Sequence, residues 1–210
     1  MKIDTNLIIK QYDSNLDKYK LLVNTVDHLL RLSIAKKRIK IHSVTNRIKE
    51  IDSLLGKMRR IKILNPFEEI HDLVGFRVVC LFLADLNELK NLFKTEFDVF
   101  DVDDKIKDKE LNIFGYMSVH LKARLKSSSL FKASIDDAII NMPFEIQIRT
   151  IAQEAWASIS HYLDYKKDNN IPDDLKRDFH ALSGLFYVAD THFGILKQEQ
   201  IKQTMEKLSK

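Results

Sequence analysis

Residues 144–166, FEIQIRTIAQEAWASISHYLDYK, decide how the rest of the chain is interpreted. Apolar and polar side chains alternate through the first part of this stretch, which predicts a β-strand with one face towards a core. The other face carries an acid, an amide and a cation in a row, from Glu145, Gln147 and Arg149. Such a face fits either the floor of an active site or an ordinary edge strand with a solvated polar side.

The residues that follow this strand change to helical periodicity. Trp156, Ile159 and Leu163 fall on one stripe, and His161 and Tyr165 stack at positions i and i+4. A strand whose polar face points at a site, followed by a helix that lines it, builds the floor and wall of many active sites. We therefore include His161 among the candidate binding residues.

The composition indicates a soluble globular protein with one domain and a sizeable core. The chain has 210 residues, of which 45% are hydrophobic and 30% charged. No apolar run approaches the ~18 residues of a membrane span, and the N-terminus lacks the apolar stretch of a signal peptide. The single cysteine, Cys80, excludes a disulfide framework and a cysteine-based metal site. These observations predict a cytoplasmic protein with no membrane contact.

The net charge of +4 is unevenly distributed. Residues 31–62 contain eleven lysines and arginines against two acids, a local net charge of +9. A concentrated basic block is typical of a surface for phosphates, whether of a nucleotide or of a nucleic acid. The alternative is a solvated helix face, which is the commoner role for a run of charges.

Within this block, two cations and a hydroxyl are predicted to converge. The segment first shows β character, which places Arg47 and Lys49 on one strand face, and an N-cap signal follows at Asp52 and Ser53. Lys57 lies one turn further along the predicted helix. Cations beside free helix N–H groups form a good site for a polyphosphate, and the planar guanidinium of Arg47 is suited to stacking on a base.

Residues 71–82 form an almost wholly apolar run, which predicts a central strand buried on both faces. Asp72 and Arg77 are its exceptions. A carboxylate at the mouth of a buried strand is costly unless it is paired or bound to a cation. We interpret Asp72 as a metal ligand, with a salt bridge as the alternative.

Residues 115–120, GYMSVH, alternate again. Tyr116, Ser118 and His120 fall on the same side of the predicted strand. An aromatic ring, a hydroxyl and an imidazole on one face suit a nucleoside, through ring stacking and hydrogen bonds to a ribose. A structural histidine is the alternative for His120.

Long amphipathic helices are predicted at both ends of the chain. We expect an N-terminal helical segment over residues 1–38, a core over 39–170 and a C-terminal helical segment over 171–210, within a single domain overall. The N-terminal apolar stripe consists of Leu7, Tyr12, Leu16, Tyr19, Leu22, Val26, Leu29 and Leu32. The C-terminal stripe, which is free to pack on the domain or on another chain, consists of Leu175, Phe179, Leu182, Phe186, Ala189, Phe193 and Leu196.

Four collinear stretches resemble the synthetase domain of the RelA/SpoT family, the alarmone synthetases. Residues 47–58, RIKEIDSLLGKM, are similar to its Arg-x-Lys-x-x-x-Ser-x-x-x-Lys segment, and residues 72–80 to its Asp-x-x-Gly-x-Arg strand. Residues 115–120 match Gly-Tyr-x-Ser-x-His, and residues 144–166 match Glu-x-Gln-x-Arg-Thr with the helix after it. The length resembles that of the small, single-domain members.

The resemblance implies a fold and a reaction. The fold is α+β, a nucleotidyltransferase-like mixed β-sheet flanked by helices, with long N- and C-terminal helices. The reaction is Mg²⁺-dependent transfer of pyrophosphate from ATP to the 3′-hydroxyl of GDP or GTP, which makes (p)ppGpp and releases AMP.

The resemblance also implies roles for individual residues. Arg47 and Arg77 would sandwich the adenine of ATP, whose phosphates would be bound by Lys49, Ser53 and Lys57. Mg²⁺ would be bound by Asp72, with Glu145 as a second ligand or as the base for the 3′-hydroxyl. The acceptor base would stack on Tyr116, while the acceptor ribose and phosphates would be positioned by Ser118, His120, Gln147 and Arg149.

The segment before Gly115 departs from the family pattern and leaves the acceptor open. The usual tyrosine and Pro-Lys pair are absent, and Phe114 stands where asparagine is usual. Lys105, Lys107 and Lys109 are candidates to contact acceptor phosphates. The Phe-Gly-Tyr form resembles a branch with toxic members, some of which modify the 3′ end of tRNA and are restrained by an antitoxin. A catalytically silent nucleotide-binding protein, and a homo-oligomer formed through the C-terminal helices, also remain open.

Overall fold

The chain folds into one mixed β-sheet with helices packed around it. The computed structural model describes residues 4–63, 65–104, 118–126, 136–165 and 173–209. The strands in these ranges are β1 (Ile41–Ile48), β2 (Val74–Cys80), β3 (Asp98–Asp104), β4 (Val119–Arg124) and β5 (Phe144–Thr150). The helices are α1 (Thr5–Lys37), α2 (Ile51–Ile61), α3 (Pro66–Glu69), α4 (Leu83–Glu96), α5 (Asp137–Ile140), α6 (Ile151–Tyr165) and α7 (Asp173–Leu208). Among the described helices, none is long and apolar enough to cross a membrane.

β5 lies in the middle of the sheet, whose strand order is β1-β2-β5-β4-β3. It pairs in parallel with β2 and antiparallel with β4. Both faces of β5 are covered, and Gln147 is its one residue that is not fully buried. The predicted α+β fold is confirmed, and the edge-strand alternative for this stretch is wrong because β5 has a neighbour on each side.

The predicted N-terminal helix is confirmed, but the ends of its buried stripe differ from the prediction. Leu7 and Leu32 are exposed. The buried positions of α1 are Ile8, Tyr12, Tyr19, Leu22, Val26, Leu29, Leu30, Ser33 and Ile34. The stripe drifts around the helix because 3.6 residues per turn do not divide evenly into three- and four-residue steps. The Tyr12 hydroxyl donates a 3.0 Å hydrogen bond to the Lys49 carbonyl, which ties α1 to the chain just after β1.

The N-cap expected at Asp52 and Ser53 is wrong. α2 begins at Ile51, and its N-cap, Glu50, makes no capping hydrogen bond through its side chain. Asp52 and Ser53 therefore lie inside the first turn, where Ser53 is exposed. An acid in the first turn is still favourable beside the positive end of the helix dipole.

The apolar stripe predicted for α6 is largely solvent-exposed. Ile159 and Leu163 are exposed, whereas Trp156 is half-buried with its ring centroid 5.4 Å from that of Phe179 on α7. The buried positions of α6 are Ala152, Gln153, Ala157 and Ser160. The prediction fails because α6 packs closely on its neighbours through small side chains, which the apolar periodicity does not detect.

α7 begins where the helix-start signal predicts, but its stripe is also only partly buried. Phe179 and Phe186 are half-buried, and the fully buried positions include Ser183 and Asp190. The predicted stripe residues that are exposed are Leu175, Leu182, Phe193 and Leu196. The reason matches that for α6, since the face of α7 that packs on α4 and α6 carries small and polar side chains.

Asp190 is a buried carboxylate at the joint between α7 and β5. Its Oδ2 accepts a 2.7 Å hydrogen bond from the Thr150 hydroxyl, and no described residue donates to Oδ1. Burial raises the pKa of Asp190 from its ordinary value of 3.8 to about 6, against the lowering effect of the Thr150 hydrogen bond. The folded state therefore binds the proton more tightly than the unfolded state, and this group destabilises the fold as the pH rises from about 4 through about 6.

We expect the stability difference between the wild type and the Asp190→Asn variant to depend on pH. When the pH falls from 7.5 to 4, the free energy of unfolding of the wild type should rise relative to that of the variant by roughly 2 kcal/mol. The reason is that about 1.4 kcal/mol accompanies each unit of pKa shift. Urea unfolding at both pH values measures this difference. The control is Asp178→Asn, an exposed aspartate on the same helix. A difference for Asp190→Asn that stays constant with pH would show that the pKa of Asp190 is the same in the folded and unfolded states.

Candidate active site

Two carboxylates meet at the edge of the sheet where β2 and β5 begin. These strands are parallel neighbours, so both of their N-terminal ends lie at that edge. Asp72 precedes β2 by two residues, and Glu145 is the second residue of β5, opposite Gly75. The charge of Asp72 acts to raise the pKa of Glu145, although burial is the larger cause in that direction. The two acids are therefore close enough to interact.

Asp72 is bound by two lysines from the basic block. Lys49 Nζ lies 3.0 Å from Oδ2, and Lys57 Nζ lies 3.0 Å from Oδ1. Burial alone would raise the pKa of Asp72, but the hydrogen bonds from both lysines outweigh it and hold the pKa below its ordinary value. Of the two alternatives that the sequence left open, the salt bridge is observed, and a metal at Asp72 stays a prediction.

The β1–α2 connection places the basic residues at this edge. The Lys49 backbone N–H donates to the Leu73 carbonyl at 2.8 Å, which draws the chain against the start of β2. Arg47 pairs with Gly75 in the β1–β2 register, and its side chain passes 3.9 Å from where a Cβ would stand on that glycine. Ser53 is exposed in the first turn of α2, one turn before Lys57.

Glu145 is held by a histidine from the neighbouring strand. His120 Nδ1 and Glu145 Oε1 are in direct hydrogen-bonding contact, and His120 Nε2 lies 2.7 Å from the Ser118 hydroxyl. Burial would raise the pKa of Glu145, but the hydrogen bond and charge of His120 outweigh it, so the pKa is lowered. Glu145 is therefore a carboxylate at neutral pH.

The rest of the polar face of β5 is joined into one network. Arg149 Nη2 donates to Gln147 Oε1 at 2.8 Å, and Gln147 Nε2 lies 3.4 Å from Glu145 Oε1. Glu154 on α6 accepts from Arg149 Nη1 at 2.8 Å and from Arg77 Nη1 at 2.7 Å. Polar contacts thus run without a break from Arg77 on β2 to Glu145.

Glu154 was not among the residues predicted from the sequence. The sequence feature that could have identified Glu154 is its position in the first turn of the helix that follows Arg149, because an acid at that position can contact the strand. Burial and the charge of Arg77 lower the pKa of Arg149 to about 10, and the contact with Glu154 opposes that shift. The buried cation is therefore stabilised by an acid that the local sequence pattern did not single out.

Some of the predicted site residues lie elsewhere. His161 is exposed, ten residues after the start of α6 and so ~15 Å along the helix from β5. This position sets it apart from the polar network at the strand. Tyr116, Lys105, Lys107 and Lys109 lie outside the described residues.

The donor atoms at the β2–β5 edge fit Mg²⁺. This ion prefers oxygen ligands and is commonly bound by one or two carboxylates together with substrate phosphates. Asp72 and Glu145 offer such oxygens, and their mutual charge effect favours a cation between them. In the part of the chain that the structure describes, no three histidines, cysteines or acids cluster as a metal site.

Two carboxylates and two lysines lie where β2 and β5 begin, and Arg47, Arg77 and Arg149 are close enough to one another to interact. This arrangement suits a phosphorylated ligand, and the comparisons identify the family of the chain. The family model described as "Region found in RelA / SpoT proteins" matches residues 46–170. The chain is similar to the GTP pyrophosphokinase YwaC of Bacillus subtilis, with 26% identity over 93% of this chain and 95% of that one. The GTP pyrophosphokinase YjbM of Bacillus subtilis is 35% identical over 65% of this chain and 62% of its own.

A solved structure gives the same assignment. Small alarmone synthetase 1 from Bacillus subtilis, bound to its product pppGpp, superposes with a TM-score of 0.73 and 30% identity, covering 90% of this chain and 98% of that one. The chain therefore belongs to the RelA/SpoT family. The described fold is that of this small synthetase over nearly its whole length.

Proposed function

We propose that this protein is an enzyme of the GTP diphosphokinase type, which transfers the β,γ-pyrophosphate of ATP to the 3′-hydroxyl of GDP or GTP. The products are AMP and (p)ppGpp. The observation that carries the proposal is the placement of Asp72 and Glu145 at one sheet edge, each against its own basic partner. The related synthetase bound to pppGpp supports guanosine nucleotides as acceptors.

The donor nucleotide would lie over the basic residues of β1, α2 and β2. Arg47 and Arg77 would hold the adenine between their guanidinium planes. The phosphates of ATP would be bound by Lys49, Ser53 and Lys57. Lys49 and Lys57 already converge on one point, where both contact Asp72. A phosphate that binds there shares or replaces the lysines' contacts with that carboxylate.

The acceptor would lie over β4 and β5. Its 3′-oxygen attacks the β-phosphorus of ATP, and the bond from that phosphorus to the oxygen that bridges the α-phosphate breaks, so AMP leaves with that oxygen. Glu145 takes the proton of the 3′-hydroxyl. Neutralisation of the phosphate charge is what Mg²⁺ supplies when bound at Asp72 and Glu145. The acceptor is oriented by Tyr116, Ser118, His120, Gln147 and Arg149, and its phosphates by Lys105, Lys107 and Lys109.

Transfer to tRNA is the second candidate function. The +9 block over residues 31–62 does not distinguish the two functions, because it serves the phosphates of a nucleic acid and those of ATP alike. The departure from the family pattern before Gly115 concerns the acceptor side of the site. Under this alternative the protein is a toxin, its acceptor is the 3′-CCA end of tRNA, and an antitoxin restrains it.

Label transfer from ATP tests these alternatives. The protein is incubated with Mg²⁺ and γ-³²P-labelled ATP together with GDP, GTP or tRNA, and the labelled product is separated. We expect label in the guanosine nucleotide and release of AMP. Label in tRNA alone, lost steeply as salt rises, would replace the proposal with the toxin function. Label in no acceptor, with folded protein, would leave a catalytically silent nucleotide-binding protein.

The exposed apolar residues of α7 support a protein partner at this surface. Side chains of this size usually become buried in an interface when several lie together. The residues are Leu182, Leu185, Val188, Phe193, Ile195 and Leu196. A second copy of the chain is the partner we favour, with an antitoxin as the alternative.

The proposed substrates are nucleotides of the cytoplasm, which is where we expect the protein.

A further inference from the structure

Glu154 is fixed where a strand turns directly into a helix. α6 begins at the residue after β5, and Thr150 and Gln153 cap that start reciprocally. The Thr150 N–H donates to Gln153 Oε1 at 3.1 Å, and the Gln153 N–H donates to Thr150 Oγ1 at 3.2 Å. The Thr150 hydroxyl is in turn anchored to Asp190 on α7. Because this junction is bonded on both sides, the first turn of α6 has a defined direction and carries Glu154 back onto the sheet.

The carboxylate of Glu154 separates guanidinium groups that repel one another. Arg47 and Arg77 both act to lower the pKa of Arg149, which shows that the three cations share one region. Glu154 binds Arg77 through Oε1 and Arg149 through Oε2, so each oxygen neutralises a different arginine. It accepts further from the Ser158 hydroxyl at 3.3 Å.

The two arginines differ in their access to a ligand. The side chain of Arg149 is 5% exposed and is also bonded to Gln147, whereas that of Arg77 is 35% exposed. Arg77 Nε is buried and has no hydrogen-bond partner among the described residues. Glu154 therefore holds one edge of a guanidinium whose side chain is partly accessible, and the planar face of such a group is the surface on which a base stacks.

We propose that Glu154 is a positioning residue that holds the Arg77 guanidinium in place for the adenine of ATP. Through Arg149 and Gln147, it also connects Arg77 to Glu145. It touches neither nucleotide. The inference rests on the proposed function, because it takes Arg77 as a donor-binding residue. It goes beyond that function by tying the donor and acceptor sides of the site to one carboxylate.

The test is a double-mutant cycle on nucleotide binding and turnover. Glu154→Gln keeps the shape of the side chain but removes the charge that both arginines share. We expect this variant to weaken binding of α,β-methylene ATP by about 10-fold, to raise the KM for ATP similarly, and to raise the KM for the acceptor. In an Arg77→Met background the same change should alter the dissociation constant by less than about 3-fold, because the arginine through which Glu154 acts is gone.

A merely structural role predicts a different pattern. It would lower the thermal unfolding temperature and weaken binding equally in both backgrounds, and that additivity would overturn the inference. So would unchanged binding in Glu154→Gln. If Glu154→Gln does not fold, Glu154→Asp retains the charge on a shorter arm, and the same cycle with Arg77→Met applies to it. The control for loss of one negative charge is Glu88→Gln, at an exposed position of α4.

Measurements on the wild type distinguish failure of this inference from failure of the proposed function. Label transfer to GDP or GTP with an additive cycle overturns the role of Glu154 alone. Binding of the ATP analogue without label transfer overturns the proposed function, and the cycle still reports on Glu154 through the dissociation constant. If the wild type does not bind the analogue, both are overturned.

Discussion

Turnover of the Glu145→Gln variant is expected to fall by roughly 10²–10⁴-fold, the usual contribution of a positioned general base. Glutamine has nearly the same shape and can still accept a hydrogen bond from His120, so the packing of β5 is preserved. It cannot take the proton of the 3′-hydroxyl. The measurement is the rate of label transfer from ATP at saturating acceptor.

Binding of an ATP analogue distinguishes loss of chemistry from loss of the site. In EDTA, the dissociation constant of α,β-methylene ATP for Glu145→Gln should stay within about 3-fold of the wild type, because the side chains proposed to bind ATP itself lie on other elements. Glu206→Gln, an exposed position near the end of α7, is the control and should retain full turnover. Normal turnover by Glu145→Gln would remove Glu145 from the mechanism.

The second large effect is expected for Asp72→Asn, which should lose Mg²⁺-dependent activity by about 100-fold or more. The structure adds a finer expectation, because Asp72 also binds Lys49 and Lys57. Removing its charge leaves both lysines available for phosphate. Binding of the ATP analogue in EDTA should therefore be unchanged or tighter than in the wild type, while added Mg²⁺ should no longer improve it.

Equilibrium binding with and without Mg²⁺ measures both parts of this expectation. Asp52→Asn removes an exposed carboxylate from the same basic block and serves as the control. Weaker binding in EDTA would indicate that Asp72 mainly holds the lysines in place. A Mg²⁺ titration curve identical to that of the wild type would exclude Asp72 as a ligand.

The sequence was sufficient for the elements whose patterns are local. Alternation along β5 and the apolar run of β2 predict strands, because a period of two and a short continuous apolar run are both typical of extended, buried backbone. The helical period likewise predicts α1 and α6. It does not predict which side of α6 is buried, since the buried side carries small residues such as Ala157 while Ile159 is exposed to solvent.

The site was predictable where it coincides with such patterns and not where it depends on strand neighbours. Glu145, Gln147 and Arg149 follow from one strand face. Glu154 and Arg77 are 77 residues apart in the sequence, and they are in contact because β2 and β5 are adjacent. No local sequence pattern predicts that these two strands are neighbours. The same holds for Asp72, which we interpret from the sequence as a metal ligand and whose salt bridges with Lys49 and Lys57 depend on the contact between separate elements.

The position of β5 in the sheet has a consequence for the synthesis of the chain. It is the last strand along the described sequence, and it occupies the middle of the sheet. β1 pairs with β2 and β3 pairs with β4, and β5 is the strand that joins these two pairs into one sheet. Because Asp72 lies just before β2 and Glu145 lies on β5, the proposed site is complete only in a chain whose translation has passed Thr150.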